Sequence, residues 1–117
     1  MQKVVLDTNA LLMPFEFKMN LDLELANLFG EFEAYVPGPV IGELKRSDSK
    51  HAKAALMLAG KYKRYETSTQ GDAGVLEVAK ALDAMVVTND FILRRKMRAA
   101  GVRAVFLRSR KRLVIEE

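Results

Sequence analysis

At 117 residues, half of them hydrophobic, the chain has the size of a single domain, 1–117, with enough apolar content for a buried core. Nineteen Lys and Arg outnumber fifteen Asp and Glu, giving a net charge of +4 and a pI near 9.5, an excess compatible with a polyanionic partner but weak evidence for one. Cysteine is absent, which excludes disulfides, thiolate metal sites and cysteine nucleophiles. No apolar run approaches the roughly 20 residues needed to cross a bilayer, and Lys3–Leu6 is too short for a signal-peptide core. A cytoplasmic protein without a membrane partner is the simplest expectation.

The first element, Lys3 to Leu6, is a β-branched apolar run ending in Asp-Thr-Asn, which predicts a buried strand and a loop. Ala10 to Phe17 is apolar but contains Pro14, so a short or broken helix is expected there. Leu21 to Phe29 reads as a helix closed by Gly30. Ala34-Tyr35-Val36 is a short strand stopped by Pro37-Gly38-Pro39, with Pro39 suited to the first turn of a helix carrying Val40, Ile41, Glu43 and Leu44.

A further helix spans Lys50 to Tyr62, and Tyr65 to Thr69 reads as a polar, strand-like piece. Asp72 opens an amphipathic helix through Val75, Leu76, Val78, Ala79 and Leu82. Ala84 to Thr88 is the second strongly buried strand, followed by a helix from Phe91 to Ala100 that Gly101 ends. Val102 to Leu107 and Leu113 to Ile115 complete the strands. Alternating strands and helices predict an α/β fold with a mainly parallel central sheet and helices on both faces.

Ligands of such sheets bind at the carboxyl ends of the strands, near the point where strand order reverses. Asp7 and Asp90 each follow one of the two most hydrophobic strands. If those strands are neighbours, the two acids face each other. Asp7, Glu43, Asp72 and Asp90 are therefore the candidate catalytic set. Converging carboxylates repel, and a hard divalent cation such as Mg²⁺ or Mn²⁺ relieves that repulsion. Each acid also has a structural reading. Asp7, Asp72 and Asp90 suit helix N-caps, and Glu43 suits the dipole early in a helix. His51, the one histidine, lies on a polar stretch and is a weak candidate for a general base.

Leu6-Asp7-Thr8-Asn9-Ala10, Pro39-Val40-Ile41-Gly42-Glu43-Leu44, Gly71-Asp72 before a helix, and Val87-Thr88-Asn89-Asp90 resemble, in order and spacing, the four acidic motifs of PIN-domain nucleases. The resemblance covers essentially the whole chain. The stretch Asp7 to Phe17 and the end Phe106 to Leu113 look most like the branch of small-subunit ribosomal RNA processing nucleases and their archaeal relatives. VapC-type toxins form a sister group.

The resemblance implies a three-layer α/β/α sandwich, Mg²⁺ or Mn²⁺, and cleavage of single-stranded or structured RNA. A homodimer, an antitoxin or a ribosome-assembly partner also follows from it. Relatives often carry an acidic pair at the third motif, whereas here only Asp72 follows Gly71. That leaves one candidate ligand fewer.

The expected chemistry is phosphodiester hydrolysis by a metal-activated water. Asp7 and Asp90 are expected as direct metal ligands and Asp72 as a direct or water-mediated one, while Glu43 orients the water. Asn9, Thr88 and Asn89 are expected to position ligands. Lys45 and Arg46, with Arg94 and Arg95, are the candidate phosphate contacts. Arg108, Arg110, Lys111 and Arg112 form the densest basic cluster, readable as RNA surface, partner contact or edge protection.

A haloacid-dehalogenase-type phosphotransferase would need a second Asp where Asn9 stands, and no glycine loop supports a nucleotide fold. Two alternatives to an rRNA-processing endoribonuclease stay open: a VapC-type toxin ribonuclease, and a non-catalytic RNA-binding or ribosome-assembly protein.

Overall fold

The computed structural model describes residues 1–117. Val4, Val5 and Leu6 are wholly buried in β1 (Gln2–Leu6). A strand apolar on both faces belongs inside a parallel sheet covered by helices, and β1 lies at its centre. The chain continues through α1 (Thr8–Glu16), α2 (Leu21–Phe29), β2 (Phe32–Pro37), α3 (Gly38–Lys45) and α4 (Ala52–Ala59). It ends with β3 (Lys63–Tyr65), α5 (Gly71–Leu82), β4 (Met85–Val87), α6 (Phe91–Ala99), β5 (Ala104–Arg108) and β6 (Arg112–Ile115).

The six strands run in the order β3-β2-β1-β4-β5-β6, all parallel except β6, which returns antiparallel to β5. Strand order reverses between β1 and β4, so the two most apolar strands are neighbours, which meets the condition for Asp7 and Asp90 to face each other, with Leu6 opposite Val87. Helices flank the sheet in the α/β arrangement expected. One cluster of 26 buried hydrophobic residues joins sheet and helices. No helix is long and apolar enough to cross a membrane.

Several element boundaries differ from the sequence reading. Helix α1 is unbroken: Pro14 lies in its C-terminal half, and the helix ends two residues beyond it. Its missing N–H thus removes support from the last turn rather than splitting the helix. Strand β3 occupies Lys63–Tyr65 instead of Tyr65 to Thr69, in register with Tyr35–Pro37 of β2. Thr67 and Thr69 belong to the loop before α5, and both hydroxyls donate to the Glu77 carboxylate. Gly74 lets this loop lie against α5, since a Cβ there would collide with the Thr69 carbonyl oxygen. Val75, Val78 and Ala79 then press α5 across β1, β2 and β4. That packing fixes where the first turn of α5, with Asp72, stands relative to the sheet.

Candidate metal centre at the carboxyl edge of the sheet

Because β1, β2, β4 and β5 are parallel, their carboxyl ends share one edge. A cleft of about 260 Å³ opens there, lined by Asp7, Glu43, Asp72 and Asp90 together with Thr8, Asn9, Gly71 and the apolar Leu12, Val75 and Leu93. Four acids from four separate segments therefore meet in one place. Asp7 and Asp90 leave adjacent strands, Glu43 comes from α3, and Asp72 comes from the first turn of α5.

Asp7 is only 6% exposed. Its Oδ1 accepts a hydrogen bond from Ala10 N at 2.8 Å, so it is the N-cap of α1. Burial pushes its carboxyl pKa up to about 7, and the charges of Asp90 and Glu43 add to the rise. The Thr88 hydroxyl and the Ala10 N–H oppose it. Thr88 is itself fully buried and its Oγ1 accepts from Asp90 N at 3.0 Å, so one hydroxyl connects the two central acids. Asp90 caps α6 through Oδ1, which accepts from Leu93 N at 3.0 Å. The structural and functional readings of these two residues are thus compatible: each uses one carboxylate oxygen as a cap and keeps the other.

Asp72 behaves differently. The N-cap of α5 is Gln70, without a side-chain cap bond, and Asp72 is the second helical residue. The capping role expected from sequence does not hold. Its Oδ2 instead pairs with Lys96 Nζ of α6 at 3.1 Å. Burial raises the Glu43 carboxyl above the usual range, Asp72 reinforcing and Arg46 and Thr8 opposing. The Thr8 Oγ1 lies close enough to Glu43 to exert that influence, yet it is buried and completes no hydrogen bond. An unpartnered buried hydroxyl beside four acids is a feature that sequence reasoning passed over; its position next to Asp7 was the only signal. Lys96 as a partner of Asp72 was likewise invisible, since the two are 24 residues apart.

The two asparagines form the frame. Asn9 Oδ1 accepts from Asn89 N at 2.7 Å, and Asn89 Oδ1 accepts from Leu107 N at 2.7 Å. The loops after β1 and β4 are thereby stitched to β5. His51 stacks against Phe15, 6.4 Å between ring centres, and takes no part in the cleft.

The donor set suits a hard divalent cation. It offers carboxylate oxygens with the Thr8 hydroxyl and the Asn9 amide, no sulfur and no imidazole, and the acids repel one another without a counter-charge. No three of the acids close into a ready-made cage.

Lys45, Arg46 and Arg95 are exposed on α3, its C-terminus and α6. Arg94 requires a correction as a phosphate contact. Its guanidinium binds Glu116 at 2.8 Å and covers the Phe106 ring at 4.1 Å, so α6 is riveted to β5 and the segment after β6 by this side chain. The basic hairpin between β5 and β6 emerges at the same sheet edge as the acids. Arg108, Arg110, Lys111 and Arg112 are all exposed there and none forms a salt bridge. Ser109 and Arg110 take left-handed backbone at φ 55° and 60°, which tightens the connection 109–111 so that Arg112 returns opposite Arg108.

Comparison with known proteins bears on the family and the fold. Ribonuclease VapC9 of Archaeoglobus fulgidus is 28% identical over 119 residues, covering 96% of this chain and 87% of that protein. Ribonuclease VapC4 of Methanocaldococcus jannaschii is 29% identical over 123 residues, covering 95% and 94%. Among solved structures, the PIN domain endonuclease Utp24 superposes with a TM-score of 0.85 at 20% identity, over 97% of this chain and 90% of that one. A PilT N-terminus domain protein of Sulfolobus solfataricus P2 gives 0.62 at 13% identity, covering 90% and 87%. The family model described as "PIN like domain" matches residues 4–110, and the chain belongs to that family.

Proposed function

We propose that this protein is a metal-dependent endoribonuclease that hydrolyses RNA phosphodiester bonds. The observation that carries the proposal is the meeting of Asp7, Glu43, Asp72 and Asp90 in one cleft at the strand-order reversal. The ribonucleases among the chain's relatives support the same activity.

Mg²⁺ or Mn²⁺ would be held by the free oxygens of Asp7 and Asp90, with Asp72 in direct or water-mediated contact. When bound, the ion supplies a more nucleophilic water and neutralises charge on the phosphate. The chain's own residues set the stage. Thr88 fixes the spacing of the two central acids from below. Burial makes Asp7 a reluctant anion, so its charge is fully expressed only beside a cation. Glu43, with its raised proton affinity, is placed to accept a proton from an attacking water. Lys96 offsets part of the Asp72 charge. Lys45, Arg46, Arg95 and the β5–β6 hairpin supply cations for RNA phosphates. No protein nucleophile is required.

A role in ribosomal RNA processing is supported by the residue patterns at Asp7–Phe17 and Phe106–Leu113. The VapC relatives favour a second reading, a toxin ribonuclease restrained by an antitoxin. Cleavage of defined RNAs with Mg²⁺, Mn²⁺ or EDTA, run beside Asp7→Asn and Asp90→Asn, tests the activity. Metal-dependent cutting lost in both folded variants is expected; equal cutting by the variants sinks the assignment. Growth arrest on expression, relieved by a neighbouring small gene, would select the toxin role.

A further inference from the structure

Helix α6 buries Leu93 and Met97, packs Arg94 on Phe106, and leaves Phe91, Ile92, Arg95, Lys96 and Arg98 exposed. At its first turn Phe91 is 67% and Ile92 63% exposed. Phe91 is the only aromatic among the large exposed apolar side chains, and these two are the only adjacent pair. Single exposed apolar residues are ordinary. An exposed pair is less so here, because it directly follows Asp90, which lines the acidic cleft.

The surroundings are cationic. Arg95, one turn along α6, places its guanidinium 6.0 Å from the Phe91 ring centre. Arg95 has no salt-bridge partner, and Lys45 and Arg46 stand exposed on the helix that brings Glu43 to the cleft. An aromatic face, an aliphatic neighbour and unpaired cations beside a phosphodiester-cleaving centre form the combination that binds single strands by stacking and charge. A duplex base has both faces covered by its neighbours and cannot use such a ring.

We propose that the first turn of α6 is a stacking platform for an unpaired RNA base next to the bond that is cut. Phe91 takes the face of the base, Ile92 widens the apolar floor, and Arg95 holds an adjoining phosphate. This inference rests on the nuclease reading for its position relative to the cut and deepens it by assigning Phe91, Ile92 and Arg95 to the face that holds the substrate.

The chain has no tryptophan, so Phe91→Trp gives a single reporter at the proposed contact. In an Asp7→Asn background with Mg²⁺, where cutting is not expected, single-stranded oligouridylate should quench this tryptophan saturably and a blunt duplex should not. Anisotropy with labelled oligonucleotide should show Phe91→Ala binding roughly 5- to 100-fold weaker than the Phe91→Tyr variant. The exposure of Phe91 keeps either variant folded, which circular dichroism checks. RNA binding that leaves the tryptophan unaffected, or that is unchanged in Phe91→Ala, overturns the proposal, as does the absence of RNA binding by every variant. Self-association in sedimentation that Phe91→Ala abolishes would show the patch to be an interface between copies, and also overturns it. Quenching by single strands from a protein that never cuts RNA would uphold the platform while removing the nuclease.

Discussion

The two edges of the parallel sheet carry clefts of opposite character. At the amino edge a cavity of about 400 Å³ is lined by Gln2, Met85, Gly101 and Val102, with Lys80, Asp83 and Arg103 at its rim. At the carboxyl edge the cleft is smaller, about 260 Å³, but it gathers four acids. The roomier of these two holds a single acid. The amino-edge acid, Asp83, sits in left-handed backbone at φ 52° and closes α5. It turns the chain. The carboxyl-edge acids are held in a half-buried group where their charges oppose one another, an arrangement that costs stability unless a counter-charge offsets it.

The largest contrast should appear in activity. Asp7→Asn should reduce RNA cleavage by on the order of 10³-fold, the equivalent of several kcal/mol of lost charge stabilisation. Steady-state cleavage rates with Mn²⁺ check this.

The same substitution should stabilise the metal-free protein. The Asp7 pKa is about 7 in the fold against 3.8 for the ordinary group. Below the ordinary value both folded and unfolded chains carry the proton, so stability is unaffected there. As pH rises from about 4 to 7 the unfolded chain releases its proton first, and the wild type loses stability relative to Asp7→Asn. By pH 8 the variant should be more stable by a few kcal/mol, each tenfold in proton affinity being worth about 1.4 kcal/mol. Denaturant melts at about pH 4.5, 6 and 8 with EDTA read the effect, and a pH-independent difference would sink it.

Arg94→Ala should cost about 1–2 kcal/mol, since it leaves the half-buried Glu116 with only Arg98 and uncovers Phe106. It should leave the salt dependence of RNA binding unchanged, which separates it from the free cations. Replacing Arg110 and Lys111 by Ala should lower the slope of log affinity against log salt by about 0.7 for each phosphate no longer neutralised, with little change in melting temperature. Asp83→Asn should do least: Asn tolerates the left-handed conformation, so stability should move by less than about 0.5 kcal/mol and cleavage not at all. A loss of cleavage in Asp83→Asn would erase the distinction between the edges.

Much of the architecture was legible because local rules and the global fold agree. The runs Val4-Val5-Leu6 and Met85-Val86-Val87 are too apolar for anything but central strands, and Asp7 and Asp90 follow them closely. Polar and proline-bearing stretches were less legible. Pro14 predicts a break only where its missing N–H matters, and in the last turns of α1 it does not. Residues 65–69 have strand composition, but β2 pairs with residues 63–65, and the threonines serve Glu77 instead.

The sequence by itself determined the alternation of strands and helices, the four acids and the hard-oxygen chemistry they imply, because apolar periodicity and residue type are local properties. The tertiary structure alone decided which charges are free. Arg94 and Arg95 are neighbours in the chain, yet the packing of α6 on β5 gives one to Glu116 and Phe106 and leaves the other exposed. It also decided that Asp72 meets Lys96 rather than capping its helix, and that the Thr8 Oγ1 is buried without a hydrogen-bond partner. Such pairings depend on distances across the fold, and no spacing along the chain encodes them.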